Sequence, residues 1–453
     1  MKCSKIFLPL VAIPMALALT ACGGSDDDET SYSESYIQFY NGSPNSAITY
    51  LSVDDSTLSG SSYGDATTVY TYEPDELEVD LSRVDSDGQS IELKTETVTL
   101  KKGVKKLIML TGDYQEVNTV SFDIERQDYE DQFDLFATSM IEDAAGYDLY
   151  MAESGTPFTS SHLVASTQYQ VLEHGTYWDT DADSDYFDED EYVFYITEAG
   201  SDEVLFQSSP INMSYSTEYV AIIRQGSGPT GSNLVLDLMN NSTTVSSYTD
   251  IQASSQFRVY NSIDDKPDLS VTLSGNEDEH QLSVDVDSIS DFQVVDYGDY
   301  RLSAQDDSGT LLSNKLVTLN QGDSKTIILF DNAQGKMTSI AFDESTLPQI
   351  YDHYLNVSNL VPDFSDVDIY FVRQDETIET AQYKIKNIQF AENDTISLPN
   401  GFYEIVAVYE QSSEDSTLLY RSTLLDISEE ANFIVTLEPD QNSPTGYTVN
   451  LLK

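Results

Sequence analysis

At 453 residues the chain is too long for one hydrophobic core, so it divides into several domains. Its 79 Asp and Glu against 21 Lys and Arg leave a net charge of −58, which repels nucleic acid and anionic lipid and excludes a nucleic-acid-binding role. The two cysteines, Cys3 and Cys22, both lie near the N-terminus, so no disulfide staples the remainder and stability has to come from packed cores.

The chain opens with Lys2 and Lys5, then an apolar run from Ile6 to Leu19, then Leu19-Thr20-Ala21-Cys22. A charged start, a short apolar segment and small residues before a cleavage point make a secretory signal. With a Cys directly after Leu-x-Ala it resembles a bacterial lipoprotein signal. The resemblance implies removal of residues 1–21, a lipid on the Cys22 sulfur and anchoring to a membrane. The run is too short to span a bilayer comfortably. Gly23 stands where an Asp would resemble an inner-membrane retention signal, so the expected location is the outer membrane of a Gram-negative cell envelope. Residues 22–35, with the run Asp26-Asp27-Asp28-Glu29, read as an acidic flexible tether.

After the tether the chain repeats. Ala47 to Val53, Tyr147 to Met151, Leu269 to Leu273 and Val367 to Val372 are strand-like segments followed by polar turns. Four closing segments contain Asp123, Asp237, Asp343 and Asn450 at equivalent places. Their spacing is roughly 110 residues, a common domain size. Gly175-Thr176-Tyr177, Gly298-Asp299-Tyr300 and Gly401-Phe402-Tyr403 recur mid-unit, whereas the first unit has Tyr72-Glu73-Pro74-Asp75 there. Nearly every segment alternates with period two. Helical periodicity is confined to short stretches, around Leu163 to Val171 and Tyr383 to Ile388. The expected fold is all-β: four tandem immunoglobulin-like or transthyretin-like β-sandwiches at 36–126, 132–245, 255–344 and 351–453. The stretches between them are polar, and few contacts are expected to cross them.

The openings Tyr36-Ile37-Gln38-Phe39-Tyr40-Asn41-Gly42-Ser43-Pro44 and Phe257-Arg258-Val259-Tyr260-Asn261-Ser262 carry a family resemblance. Together with Val367-Asp368-Ile369-Tyr370 and the Gly-x-Tyr motifs, they resemble the bacterial domain-of-unknown-function 4397 family. That resemblance implies secreted or lipid-anchored β-sandwich modules, often in tandem, and brings no catalytic residues. Only the first unit keeps Ser-Pro, and only the last has the full Val-Asp-Ile-Tyr.

The sharpest local feature is the acidic stretch Asp179 to Glu191. Asp179, Asp181 and Asp183 fit the first three ligand positions of a calcium loop, and Asp190 stands where a bidentate Glu is usual. Ser184 replaces the Gly that such a loop needs for its turn. Two readings follow: a solvated acidic insert in the second unit, or a calcium site at Asp179, Asp181, Asp183 and Asp190. His162, His174, His280 and His353 lack partners at zinc-ligand spacing. Gly226 to Ser232 lacks the Lys of a phosphate loop, and a Ser nucleophile would need a His and an acid nearby. The expected role is therefore non-catalytic: binding, adhesion or spacing at the envelope, with an envelope protein or glycan as ligand. The alternatives are a calcium-dependent glycan- or protein-binding surface protein, or an enzyme acting on envelope polymers.

Overall fold

The computed structural model describes residues 34–453 apart from 55, 86, 143, 179–185, 232, 243, 277, 348 and 413–414. Strands dominate. Among the described residues the only helical turns are two 3-10 segments, Tyr114–Glu116 and Phe158–Ser160. Eight sheets pair into four tandem sandwiches, each with its own core. Phe39, Leu51 and Ile108 belong to the first core, and Phe133, Phe194 and Ile223 to the second. Val271, Leu302 and Ile327 belong to the third, and Phe371, Ile405 and Val435 to the fourth.

One sheet of every sandwich follows the same plan. An opening strand pairs in parallel with a return strand, which pairs antiparallel with a closing strand. The opening strands are Ser35–Asn41, Gln132–Ser139, Ser255–Asn261 and Asp352–Asn359. The return strands are Val104–Thr111, Glu218–Gln225, Ser324–Asp331 and Phe433–Pro439. The closing strands are Asn118–Glu125, Leu234–Met239, Met337–Asp343 and Tyr447–Leu452. The register makes Tyr40 equivalent to Tyr260 and Asp237 equivalent to Asn450.

The return strands break the two-residue alternation. Leu107-Ile108-Met109-Leu110, Val220-Ala221-Ile222-Ile223 and Ile327-Ile328-Leu329-Phe330 are continuous apolar runs. A run of this kind is what a strand covered on both faces requires. Ile108 and Leu110 face the first core, while Leu107 and Met109 join Tyr40, Val220, Ile222 and Met239 in a separate cluster between the first and second sandwiches. Tyr260, Ile328, Phe330, Leu360 and Ile434 form the matching cluster between the third and fourth. The stretches linking the sandwiches are polar, but the sandwich faces on either side of them are buried against each other in two pairs.

Three local readings change. Leu163 to Val171 and Tyr383 to Ile388 do not form helices: His162–Thr167 and Tyr383–Gln389 are strands. In each the register slips by one residue, between Leu149 and Tyr150 and between Val367 and Ile369 of the partner strands. A bulge inserts an extra residue, so the apolar spacing of Ile385 and Ile388 imitates a helix. Third, the mid-unit Tyr of the second sandwich is Tyr192, not Tyr177. Tyr192, Tyr300 and Tyr403 each donate to the carbonyl four residues upstream, at 2.7–2.8 Å (Asp188, Asp296 and Pro399). The hydroxyl is thereby satisfied while the ring stays in the core.

Candidate functional site

Cys22, Asp179, Asp181 and Asp183 lie outside the described residues. Asp190 is exposed at the start of the strand Asp190–Glu198, and its carboxylate accepts the Glu191 amide at 2.7 Å. Among the described residues no three His, Cys, Asp or Glu come together closely enough to hold a metal ion. The histidines are dispersed. His162 stacks on Trp178, His174 bonds Asp134 at 2.7 Å, His280 bonds Asp278 at 2.9 Å, and His353 is buried against the Ala431 carbonyl.

The polar groups that the fold gathers are elsewhere, between the paired sandwiches. In the first pair, Tyr40 donates to Asp237 Oδ2 at 2.7 Å, and Arg224 Nε reaches the same oxygen at 2.6 Å. Tyr40 and Asp237 are fully buried. Burial and the Asp237 charge push the Tyr40 hydroxyl well above its ordinary pKa. Arg224 also lies 4.8 Å over the Tyr63 ring, and Tyr63 donates to the Gln225 carbonyl. Gln38 closes one side by donating to the Asn240 carbonyl at 3.0 Å.

A second polar group lies in the same interface. The Lys105 and Glu218 side chains are 0% and 1% exposed, with Nζ 3.5 Å from Oε1. Lys105 also donates to Asn241 Oδ1 at 3.0 Å, and Arg126 reaches Glu218 at 3.2 Å. Burial pulls the Lys105 ammonium down to about 8, against the opposing pull of Glu218. Nearby, burial raises the Asp134 carboxyl, which His174 partly offsets.

The second pair repeats the first clasp with different chemistry. Asn450, at the position of Asp237, donates to the Tyr260 hydroxyl at 3.0 Å. Glu438 takes the place of Arg224. It is buried, receives the Thr436 hydroxyl, and is pushed up to about 7 by burial, with Asp287 adding to the rise. Arg258, the counterpart of Gln38, donates to the Lys453 carbonyl at 2.9 Å, as Gln38 does to Asn240.

The two pairs meet around a cleft of about 540 Å³. Ile48 and Tyr63 line it from the first sandwich and Ser227 from the second. Glu344 comes from the third–fourth connector, and Asp352 and Tyr354 from the fourth sandwich. Thr346 locks the connector to the second sandwich: its amide donates to Ser227 Oγ at 2.9 Å, and its hydroxyl accepts the Gly228 amide at 3.0 Å. Ile350 enters the first core, and Arg83 lies 4.0 Å over the Tyr351 ring. Burial raises the Asp352 carboxyl.

None of Lys105, Arg224, Glu218 or Glu438 stands out in the sequence as a functional residue. The available signal was a charged side chain within or beside a continuous apolar run, as in Lys105 before Leu107 and Glu218 before Val220. In a strand buried on both faces, such a charge has to find a partner.

The chain matches no protein-family model and no curated protein. Among solved structures it is similar to the Bacillus anthracis TIE protein at 9% identity, with a TM-score of 0.16, over 90% of this chain and 68% of that one. The class that its own sheets define is an all-β protein of four tandem sandwiches.

Proposed function

We propose that the chain is a lipid-anchored envelope protein, built of modules of the domain-of-unknown-function 4397 type and held through Cys22 at the outer membrane. Its role is non-catalytic: it presents a body of stiffly paired sandwiches for binding, adhesion or spacing. The observation that supports this reading is the two-sided burial of the return strands. A string of loosely tethered beads would leave those faces to solvent; here they are packed, so the body can hold a fixed reach. The four-way cleft is the proposed binding surface. Tyr63 and Tyr354 offer aromatic faces, and Ser227 a hydroxyl, beside the carboxylates of Glu344 and Asp352. That lining suits a neutral, hydroxyl-rich ligand such as an envelope glycan and disfavours an anion.

Replacing Cys22 by Ser tests the anchor, because only sulfur accepts the lipid. The variant should leave the detergent phase or persist uncleaved; partitioning like the wild type would remove the anchoring part of the reading. Pull-down from intact envelopes tests the rest. Saturable capture that Tyr354→Ala weakens supports the cleft, whereas turnover of an envelope polymer would replace binding by catalysis.

A further inference from the structure

Lys105, Glu218 and Asn241 form an arrangement that a salt bridge alone does not require. The Lys105 ammonium belongs to the first sandwich, while the Glu218 carboxylate and the Asn241 amide belong to the second. Both Asn241 amide hydrogens are held: Nδ2 donates to Glu218 Oε1 at 3.0 Å and to Thr217 Oγ1 at 2.8 Å. The amide plane is thereby fixed with its oxygen toward Lys105 Nζ, 3.0 Å away. The amine, the amide carbonyl and a carboxylate within reach of both nitrogens meet at one interface, with Lys105 and Glu218 buried and Asn241 half-buried.

We propose that Lys105 and Asn241 join in an intramolecular isopeptide bond, with Glu218 as the proton carrier. The Nζ lone pair attacks Asn241 Cγ and forms a new C–N bond. Glu218 accepts the proton that Nζ gives up and passes it to Nδ2. The Cγ–Nδ2 bond then breaks, and Nδ2 leaves as ammonia. One amine and one primary amide become one secondary amide and one ammonia, so no oxidant or co-reactant is needed.

Three features of the interface favour the step. Burial lowers the ammonium to about 8, which makes the neutral, nucleophilic amine accessible near neutral pH. Fixing Lys105 on a packed strand, and the Asn241 amide by its bonds to Thr217 and Glu218, turns a slow bimolecular reaction into an intramolecular one. Burial of the Lys105 amine and the Glu218 carboxylate limits the access of water that would compete by hydrolysis. The second pair is the internal contrast: Ser324 occupies the Lys105 register position and Asn432 that of Glu218, so it lacks both the amine and the carboxylate. The bond would staple the first two sandwiches covalently in a body that no disulfide staples.

Peptide mapping of the whole protein decides the matter without any variant. The expected result is the Lys105 peptide joined to the Asn241 peptide, lighter by one ammonia, with Lys105 resistant to tryptic cleavage. Recovery of the two peptides separate and unmodified would overturn the proposal and leave an ordinary buried ion pair. Asn241→Ala changes a half-buried residue and should abolish the link; a joined peptide that survives it would also overturn the assignment. Glu218→Gln should slow bond formation by about a hundredfold, the usual contribution of a positioned proton carrier. Unchanged kinetics in that variant would remove Glu218 from the role.

Discussion

The interface between the first and second sandwiches and the interface between the third and fourth are built on the same strands in the same register, yet their polar centres differ. In the first, Tyr40 meets an Asp237–Arg224 ion pair. In the second, Tyr260 meets Asn450 and Glu438, with the negative position neutralised and the positive one replaced by an acid. The apolar surroundings are similar. The backbone thus sets where a polar clasp must occur, because Tyr at that place brings a hydroxyl into the interface. The side chains around it decide whether the clasp is ionic or protonatable. An ion pair keeps its charges across the neutral range, whereas an acid without a facing cation holds its proton longer than usual.

Breaking the ionic clasp should have the largest effect. Asp237→Ala leaves Arg224 and Tyr40 buried without their partner, and losses of this type run to roughly 3–5 kcal/mol. Unfolding followed by fluorescence of Trp178, the only Trp and a residue of the second sandwich, should show a clear drop in midpoint. A change of a few tenths would mean that the pair contributes little.

The second clasp should respond to pH. Glu438 is raised from its ordinary 4.5 to about 7, so the folded state binds its proton more tightly than the unfolded chain does. Its favourable contribution is complete below about pH 4.5, is lost as pH rises through about 7, and stays lost above that. At about 1.4 kcal/mol per pH unit, the loss amounts to roughly 3 kcal/mol. Glu438→Gln keeps the shape and removes the titration. The variant should match the wild type by calorimetry at pH 4.5 and exceed it at pH 8. A difference that does not change with pH would show that the second clasp is no more protonatable than the first.

The smallest effect is expected at Asn450. Asn450→Ala removes hydrogen bonds to Tyr260 and Glu438, together about 1–2 kcal/mol. A loss as large as that of Asp237→Ala would erase the contrast between the two interfaces.

The sequence by itself determined the all-β class and the four-fold repetition. Turn spacing, alternating strands and the recurrence of Asp123, Asp237, Asp343 and Asn450 are local properties of the chain. It did not separate Tyr177 from Tyr192, because a Gly-x-Tyr motif does not show which Tyr hydroxyl reaches a carbonyl four residues back. It misread the stretch at Tyr383 to Ile388, because a bulge is defined by the partner strand. The paired arrangement was only half visible: Leu107 to Leu110 and Ile327 to Phe330 are too continuously apolar for a strand with one wet face, but nothing in the runs names what covers the second face. Only the tertiary structure brought Lys105 to Asn241 and Tyr260 to Glu438. Those contacts join residues far apart in the chain, and they depend on which sandwich faces pack together rather than on any local pattern.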